Sequence, residues 1–422
     1  MKRVLIFSLL LGGIVYQNAL AQHLEYIGEY GPFEDATSLC IAESYAYIAD
    51  CDGNSLEIIN ISDPSSPEFV GNCDTANPVW DVSVKDGYAY MATTPNHIAV
   101  IDVSDPTNPF LVATRSATEQ AVNLFISGNY LYATEFFGFE IFDMNDPEYP
   151  VSIYFDVIGE SWDVYVSGNY AYVTNIDDPA FNMCPIYPEI CGLKIMDVTE
   201  PAEAFIIGSV DGISVYPVFV SGNYAYVARL GYGENLLFII DVTDRSQPFI
   251  AGDYLLAGQP MHISVSGPYL FAPYRVDQTG NLEVINIADP ANPQLVTEHD
   301  TYGRPWDISV RGEYAYVLNN TSLVILKFVN AACEGSYIAG DCNHNGVPLQ
   351  LADVTAMIGM YRGTSLPCYV CDCQPHGFAF AATADPNGNC VAFELGDVVT
   401  EIGAYRGLST VSSCEDCPGS GR

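Results

Sequence analysis

Two stretches near the end of the chain place oxygen side chains at alternate positions: Asp341-Cys-Asn343-His-Asn345 and Asp385-Pro-Asn387-Gly-Asn389. Oxygens at loop positions 1, 3 and 5, a backbone carbonyl at 7 and a later carboxylate suit Ca²⁺, which takes about six to eight oxygen ligands. The first candidate set is Asp341, Asn343, Asn345, the Val347 carbonyl and Asp353. The second, 44 residues on, is Asp385, Asn387, Asn389, the Val391 carbonyl and Asp397. Calcium is therefore the expected cofactor. The closing Asp falls one residue late, Gly346 becomes Cys390 in the second copy, and Asn at position 5 lowers the ligand charge. The competing reading is a disulfide-held remnant in which these Asx residues only make turns.

A second constellation recurs in register. Eight residues before each of Tyr45, Tyr88, Tyr130, Tyr170, Tyr224, Tyr269 and Tyr314 stand Thr37, Trp80, Val122, Trp162, Tyr216, Met261 and Trp306. The residues that follow them are Ser38, Asp81, Asn123, Asp163, Pro217, His262 and Asp307, so each of the three Trp in the chain precedes an Asp. Aromatic surface mixed with carboxylates suits a sugar, a peptide or a cation. The candidate ligand-binding residues are thus Trp80, Asp81, Trp162, Asp163, Tyr216, His262, Trp306 and Asp307. In the structural alternative, Trp packs between repeats and Asp ties down the entering loop. A glycoside-hydrolysing pair among Asp81, Asp163 and Asp307 would need carboxyls about 5–10 Å apart. No G-x-S-x-G, H-E-x-x-H or phosphate loop is present, and the six His form no convincing metal or triad set.

The elements that must position these residues come from a repeat. The tyrosines above are spaced 43, 42, 40, 54, 45 and 45 residues apart, and each lies in a V-x-V-x-G-x-Y-A-Y-V phrase followed by L-x-I-I-D-V-S-D-P-x-x-P. Alternating β-branched and aromatic residues bounded by Gly, Asp-Pro and Asn-Pro read as four short strands per copy, the arithmetic of a propeller blade. The seventh copy stops after its third strand (Leu323–Phe328), and Leu24–Gly28 resembles the fourth strand Pro67–Gly71. A seven-bladed all-β propeller over residues 22–330, closed by its N-terminal strand, is predicted. The recurring acids at the turns (Asp63, Asp105, Asp146, Glu200, Asp244, Asp289) and just before them (Asp102, Asp143, Asp197, Asp241) are expected to serve the turns, not chemistry. In this arrangement the Trp-Asp column opens the innermost strands and rings one mouth of the central channel. The long fourth copy inserts residues 175–191 on that same face, a feature of recognition surfaces.

The Y-A-Y-V-A and I-I-D-V-S-D-P-x-x-P phrases resemble the LVIVD repeat family of exported bacterial β-propellers over residues 23–328. The frame D-x-N-x-N…L-x-D-V…I-G-x-Y-R-G, repeated over 341–407, resembles the type I dockerin module of bacterial extracellular assemblies. That likeness implies a small, cysteine-rich helical domain at 331–422 and a cohesin-like partner for its helices.

Composition sets the boundaries. With 14 Lys+Arg against 52 Asp+Glu, the formal net charge is -38, which excludes nucleic acid and anionic membrane as partners. Lys2-Arg3, the apolar run Val4–Val15 and Ala19-Leu20-Ala21 mark residues 1–21 as a signal peptide, so a secreted or cell-surface location is expected. No transmembrane span is expected. In an exported chain the 13 Cys read first as disulfides. Cys184–Cys191 clips the inserted loop, Cys51–Cys73 is a second candidate pair, and Cys40 is left as a free thiol. Cys368-x-x-Cys371 and Cys414-x-x-Cys417 leave zinc as an alternative in the tail. The expected function is an exported, non-enzymatic binding or scaffold protein: the propeller face recognises an extracellular protein or glycan, and the tail attaches it to a surface or complex. The alternative is a polysaccharide-active enzyme with carboxylates at the channel mouth.

Overall fold

The computed structural model describes residues 22–176, 191–229, 234–276 and 279–329. They form seven four-stranded sheets, one per repeat. Blade one runs Ala36–Ala42, Tyr45–Asp50, Ser55–Asn60 and Glu68–Asp74, and blade two runs Val79–Lys85, Tyr88–Thr93, His97–Asp102 and Phe110–Ser116, each strand antiparallel to the next. Blades three to six repeat the pattern, with inner strands Ala121–Ser127, Ser161–Ser167, Val215–Ser221 and Ser264–Ser266. Leu24–Val329 forms one compact unit. Among the described residues the one helical element is the 3₁₀ turn Pro201–Glu203, and no helix is long and apolar enough to cross a membrane. The expected calcium-loop module, with every candidate calcium ligand, lies outside the described residues, as does the signal peptide.

The burial pattern follows from the position of each strand. The second and third strands are covered on both faces by adjacent blades, so they read as nearly continuous apolar runs. Tyr88–Thr93 and Leu236–Asp241 are examples. Outer strands face solvent and carry exposed residues such as Phe110 and Phe249. Each seam between blades is its own cluster; Tyr47, Leu56 and Ile58 of blade one, for instance, pack against Val79, Met91 and Ile101 of blade two.

The ring closes as the repeat arithmetic requires. The seventh sheet has the order His23–Tyr30, Leu323–Val329, Tyr314–Asn319, Pro305–Arg311, so the N-terminal strand is the outer strand of the last blade. Leu24 is buried with Ile308, Val317 and Leu326. The Asp-Pro turns lock neighbouring blades. Asp63 and Asp105 accept the backbone N–H of Ser65 and Thr107 at 3.0 Å, and Asp102 accepts that of Ser104 at 2.9 Å. The outer strand of each preceding blade lies against these turns. A Cβ on Gly71 would come within 2.4 Å of the Pro106 carbonyl oxygen, and one on Gly28 within 2.4 Å of that of Pro64. Apart from Glu200, whose side chain makes no capping hydrogen bond, the recurring acids are turn architecture.

One expected disulfide is corrected. Cys51 and Cys73 are both free thiols. Cys51 lies in the turn before the third strand of blade one, against the Val79 backbone of blade two's innermost strand. Cys73 lies on the outer strand, against Leu111 of blade two's outermost strand. Those two strands are three spacings apart at about 4.8 Å each, beyond the reach of a disulfide. Cys40 is also free, as expected, and burial pushes its thiol up to about 11. Cys191 is buried and disulfide-bonded; Cys184, its expected partner, lies outside the described residues.

Candidate functional site

Six of the seven inner strands begin with an irregularity, and its position explains the aromatic column. Register slips between Ala36 and Ser38, Val79 and Asp81, Ala121 and Asn123, Ser161 and Asp163, Val215 and Val218, and Pro305 and Asp307. The skipped residues are Thr37, Trp80, Val122, Trp162, Tyr216 with Pro217, and Trp306. A β-bulge re-aims the extra side chain and leaves it outside the ladder. Here it brings the column residue to the axial cavity, although Trp80 also packs against the seam between blades two and three.

Together with their neighbours, these residues line one cavity on the propeller axis, formed by Thr37, Ser38, Trp80, Asp81, Val122, Asn123, Trp162, Tyr216, Met261, His262 and Trp306, with every blade contributing. Of the eight sequence-derived candidates, Trp80, Asp81, Trp162, Tyr216, His262 and Trp306 are brought together at its wall; Asp163 and Asp307 are not lining residues. The cavity offers about 60 Å³ to water-sized molecules. Since roughly 10–15 Å³ of such space holds one water, it takes a few waters or one compact head group, not a sugar ring.

The acids beneath the rim have a structural task. In most blades the residue after the column position accepts a backbone N–H from the inner strand of the next blade. Asp307 takes Leu39 N at 2.7 Å, Ser38 takes Val82 N at 3.4 Å, Asn123 takes Val164 N at 3.4 Å and Asp163 takes Val218 N at 2.8 Å. Asp81 takes Leu124 N with one oxygen and the Ser38 hydroxyl with the other. All three Asp are buried. Burial pushes Asp81 up to about 7 and Asp163 up to about 6, because their N–H partners offset only part of the desolvation.

The stitch changes on either side of blade six: Ser264, not His262, takes Val310 N of blade seven at 3.3 Å, and between blades five and six it is missing. Pro217 has no acceptor side chain, and the inner strand of blade six pairs only over Ser264–Ser266. His262 precedes that short ladder and fills the gap with its side chain. Its Nε2 lies 2.9 Å from the Tyr216 hydroxyl, and its Nδ1 lies 3.4 Å from Asp307 Oδ1. Burial alone would lower the imidazole pKa, but Asp307, Asp163 and Asp81 outweigh it and the net shift is upward. Burial and the same three carboxylates raise the Tyr216 hydroxyl well above 10, so it stays protonated.

Above the acids the rings form an arc. Trp80 meets Phe136 at 6.4 Å, Phe136 meets Trp162 at 6.4 Å, Trp162 meets Tyr216 at 5.9 Å and Tyr216 meets His262 at 5.6 Å, centroid to centroid. Across the mouth the Arg275 guanidinium stacks 3.6 Å over Trp306. Sequence reasoning missed Phe136 and Arg275. Phe136 had a signal: it and Phe137 are the two residues between paired Glu135 and Gly138, an apolar choice for a hairpin loop. Arg275, in the second strand of blade six, had none. The inserted segment of blade four falls mostly outside the described residues, but the positions flanking it, Asn175 and Gly192, pair with each other, and Asn175 also pairs with Ser161 at the mouth end of the inner strand.

The model for the LVIVD repeat matches residues 34–75, 78–115, 120–153, 158–178, 214–255, 257–301 and 302–327. No curated protein matches the chain. Among solved structures, Kuenenia stuttgartiensis hydrazine synthase is similar with a TM-score of 0.55 at 12% identity, over 69% of this chain and 95% of that one. A functionally unknown protein from Desulfotomaculum acetoxidans is similar with a TM-score of 0.50 at 14% identity, over 64% and 89% of the two chains. At such identities the likeness is one of fold.

Proposed function

The chain belongs to the LVIVD repeat family, and from the axial cavity we propose that it is an exported binding protein whose propeller captures an extracellular ligand at the channel mouth. One observation carries this reading: the residues that break the sevenfold pattern, three Trp, Tyr216 and His262, are gathered on one cavity instead of scattered over the blades. Sequence drift in a scaffold has no reason to place every Trp of a chain around one opening. The enzyme alternative is weaker because Asp81, Asp163 and Asp307 use their oxygens to hold neighbouring inner strands, so a hydrolytic role would compete with ring closure.

The experiment uses those Trp as the reporter. Since all three stand at the mouth, intrinsic fluorescence reads occupancy there without a label. Titration of the full chain with extracellular peptides, oligosaccharides and small charged solutes should give a saturable change for at least one class. A spectrum unmoved by every class would end the reading.

For residues 331–422 the loop spacing supports calcium binding and attachment to a surface or complex. Calorimetric titration of the full chain with Ca²⁺ tests it, with heat expected for the native sequence and lost in a variant combining Asp341→Ala and Asp385→Ala.

A further inference from the structure

The mouth also constrains what it would hold. We propose that it accepts the methylated ammonium head of an organic cation, seated on the Trp80, Trp162 and Tyr216 rings above the Asp81 carboxylate; this deepens the binding reading above and rests on it.

Size comes first. Space of about 60 Å³ fits a few waters or one compact group, so a ligand enters head first and leaves its remainder outside. The wall comes second. Four indole or phenol rings line the cavity, Trp306 among them, and Phe136 joins Trp80 to Trp162, giving a nearly continuous π surface over Trp80, Trp162 and Tyr216. Ring faces carry negative quadrupole density that attracts a cation placed within about 6 Å, most strongly when water is excluded. The site already shows this mode, since Arg275 lies 3.6 Å over Trp306. Among the described residues no Lys or Arg is seated on Trp80 or Trp162.

Charge comes third. Three carboxylates, Asp81, Asp163 and Asp307, act on the same imidazole from different blades, and His262 is the only ionisable base among the lining residues. Arg275, held by its Nε donating to the Pro305 carbonyl at 3.0 Å and stacked on Trp306, stands at one side of the rim.

The final constraint is that the acids are already committed to the scaffold. Both oxygens of Asp81 are engaged, by the Ser38 hydroxyl and Leu124 N, and both oxygens of Asp163 accept backbone N–H groups. Each of these oxygens therefore already serves the scaffold, and the acids act on a group at the mouth chiefly through their negative field rather than as a ready-made ligand set. Among the described residues no three acidic, His or Cys groups converge as a metal set. A methylated ammonium has charge and no N–H to satisfy, so it loses least on entering such a site.

The test is a tryptophan-fluorescence titration of the full chain with choline, against 3,3-dimethylbutanol, the uncharged carbon analogue of the same shape. Choline should give a saturable change, with the neutral analogue at least about tenfold weaker, a gap within the range of a desolvated cation–π contact. Trp162→Ala should abolish the preference. Should that variant fail to fold, saturation-transfer NMR on the wild type should show the choline methyl protons, more than its methylene protons, in contact with protein. Equal binding of the two compounds, or a choline response that stays linear to molar concentration, overturns the proposal. If an uncharged oligosaccharide then saturates the signal, the cation inference alone is lost; if nothing moves it, the binding reading fails as well.

Discussion

Tyr216 and His262 come from adjacent blades and meet hydroxyl to Nε2 at 2.9 Å, at a boundary where Pro217 cannot supply the side-chain-to-amide stitch between inner strands. Asp307 of the next blade holds the other nitrogen of the ring. One imidazole thus spans three blades and ties ring integrity to a titratable group.

The first prediction concerns pH. A carboxyl whose folded pKa is raised favours the folded state fully below its unfolded value, near 3.8, and loses that contribution as pH rises through the folded value. For Asp163 and Asp81 the losses run through about 6 and about 7. His262, also raised, loses its contribution as pH climbs past 6.5. The thermal midpoint should fall between pH 5 and pH 8, and Asp81→Asn should flatten the slope, by roughly 2–4 °C for each kcal/mol of linkage removed. Calorimetry across that range decides it; a parallel slope in the variant refutes the assignment.

Blade three provides a second case. Glu135 is fully buried and lies beside buried Glu140, and its Oε2 accepts the Glu119 amide at 2.9 Å. Burial first, then Glu140, pushes Glu135 up to about 9. Its favourable contribution is full below about 4.5 and is largely spent by pH 8 to 9. Glu135→Gln keeps an acceptor for the amide and removes the charge that has to be neutralised. It should raise the midpoint at pH 8 by at least ~2 °C, the effect of about 1 kcal/mol in a large domain, and have little effect at pH 4. A variant less stable than wild type at both pH values would contradict the buried-pair account.

Two glycines separate contact from conformation. Gly71→Ala drives a Cβ to within 2.4 Å of the Pro106 carbonyl, so a backbone must move. A loss of about 1–3 kcal/mol is expected from such overpacking. Gly128→Ala meets nothing within 4 Å and suffers only its φ of +57°, worth about 1–2 kcal/mol. Asn, which tolerates left-handed backbone, should rescue position 128 and not position 71. Denaturant unfolding of the four variants checks this.

Thiol mapping addresses the corrected disulfide. Alkylation under native conditions followed by peptide mass spectrometry should find Cys40, Cys51 and Cys73 each reduced, and Cys40 slowest to react because burial holds its thiol up to about 11. A Cys51–Cys73 cross-linked peptide would refute the placement of the two thiols on different strands.

The blades, their closure and the residues around the cavity were legible because repetition turns spacing into geometry. Once the copies are aligned on Tyr45, Tyr88 and their equivalents, positions eight residues upstream must share one radius and one height. What stayed hidden was whatever depends on registry between strands. The bulges that aim Trp80 and Trp162 at the axis come from a slip in pairing, which no single strand reveals. The loss of the stitch at Pro217 is visible only when the amides of Val218, Leu124 and their counterparts are seen donating to side chains of the preceding blade. Cys51 and Cys73 lie near one another along the chain, yet alignment says nothing of radial depth within a blade, and that depth keeps them apart.

The outer strand of blade seven, His23–Tyr30, has a temporal consequence. It is made before any blade exists and can pair only after Leu323–Val329 has been synthesised. Through that interval it is an unpaired edge bearing Leu24, Tyr26 and Ile27, the kind of segment that pairs with wrong partners. Completion of the ring is therefore a late, long-range step that waits on the last blade. An axial cavity bounded by all seven blades has a complete wall only after that step, so a chain arrested before it would carry all three Trp and still lack the finished pocket.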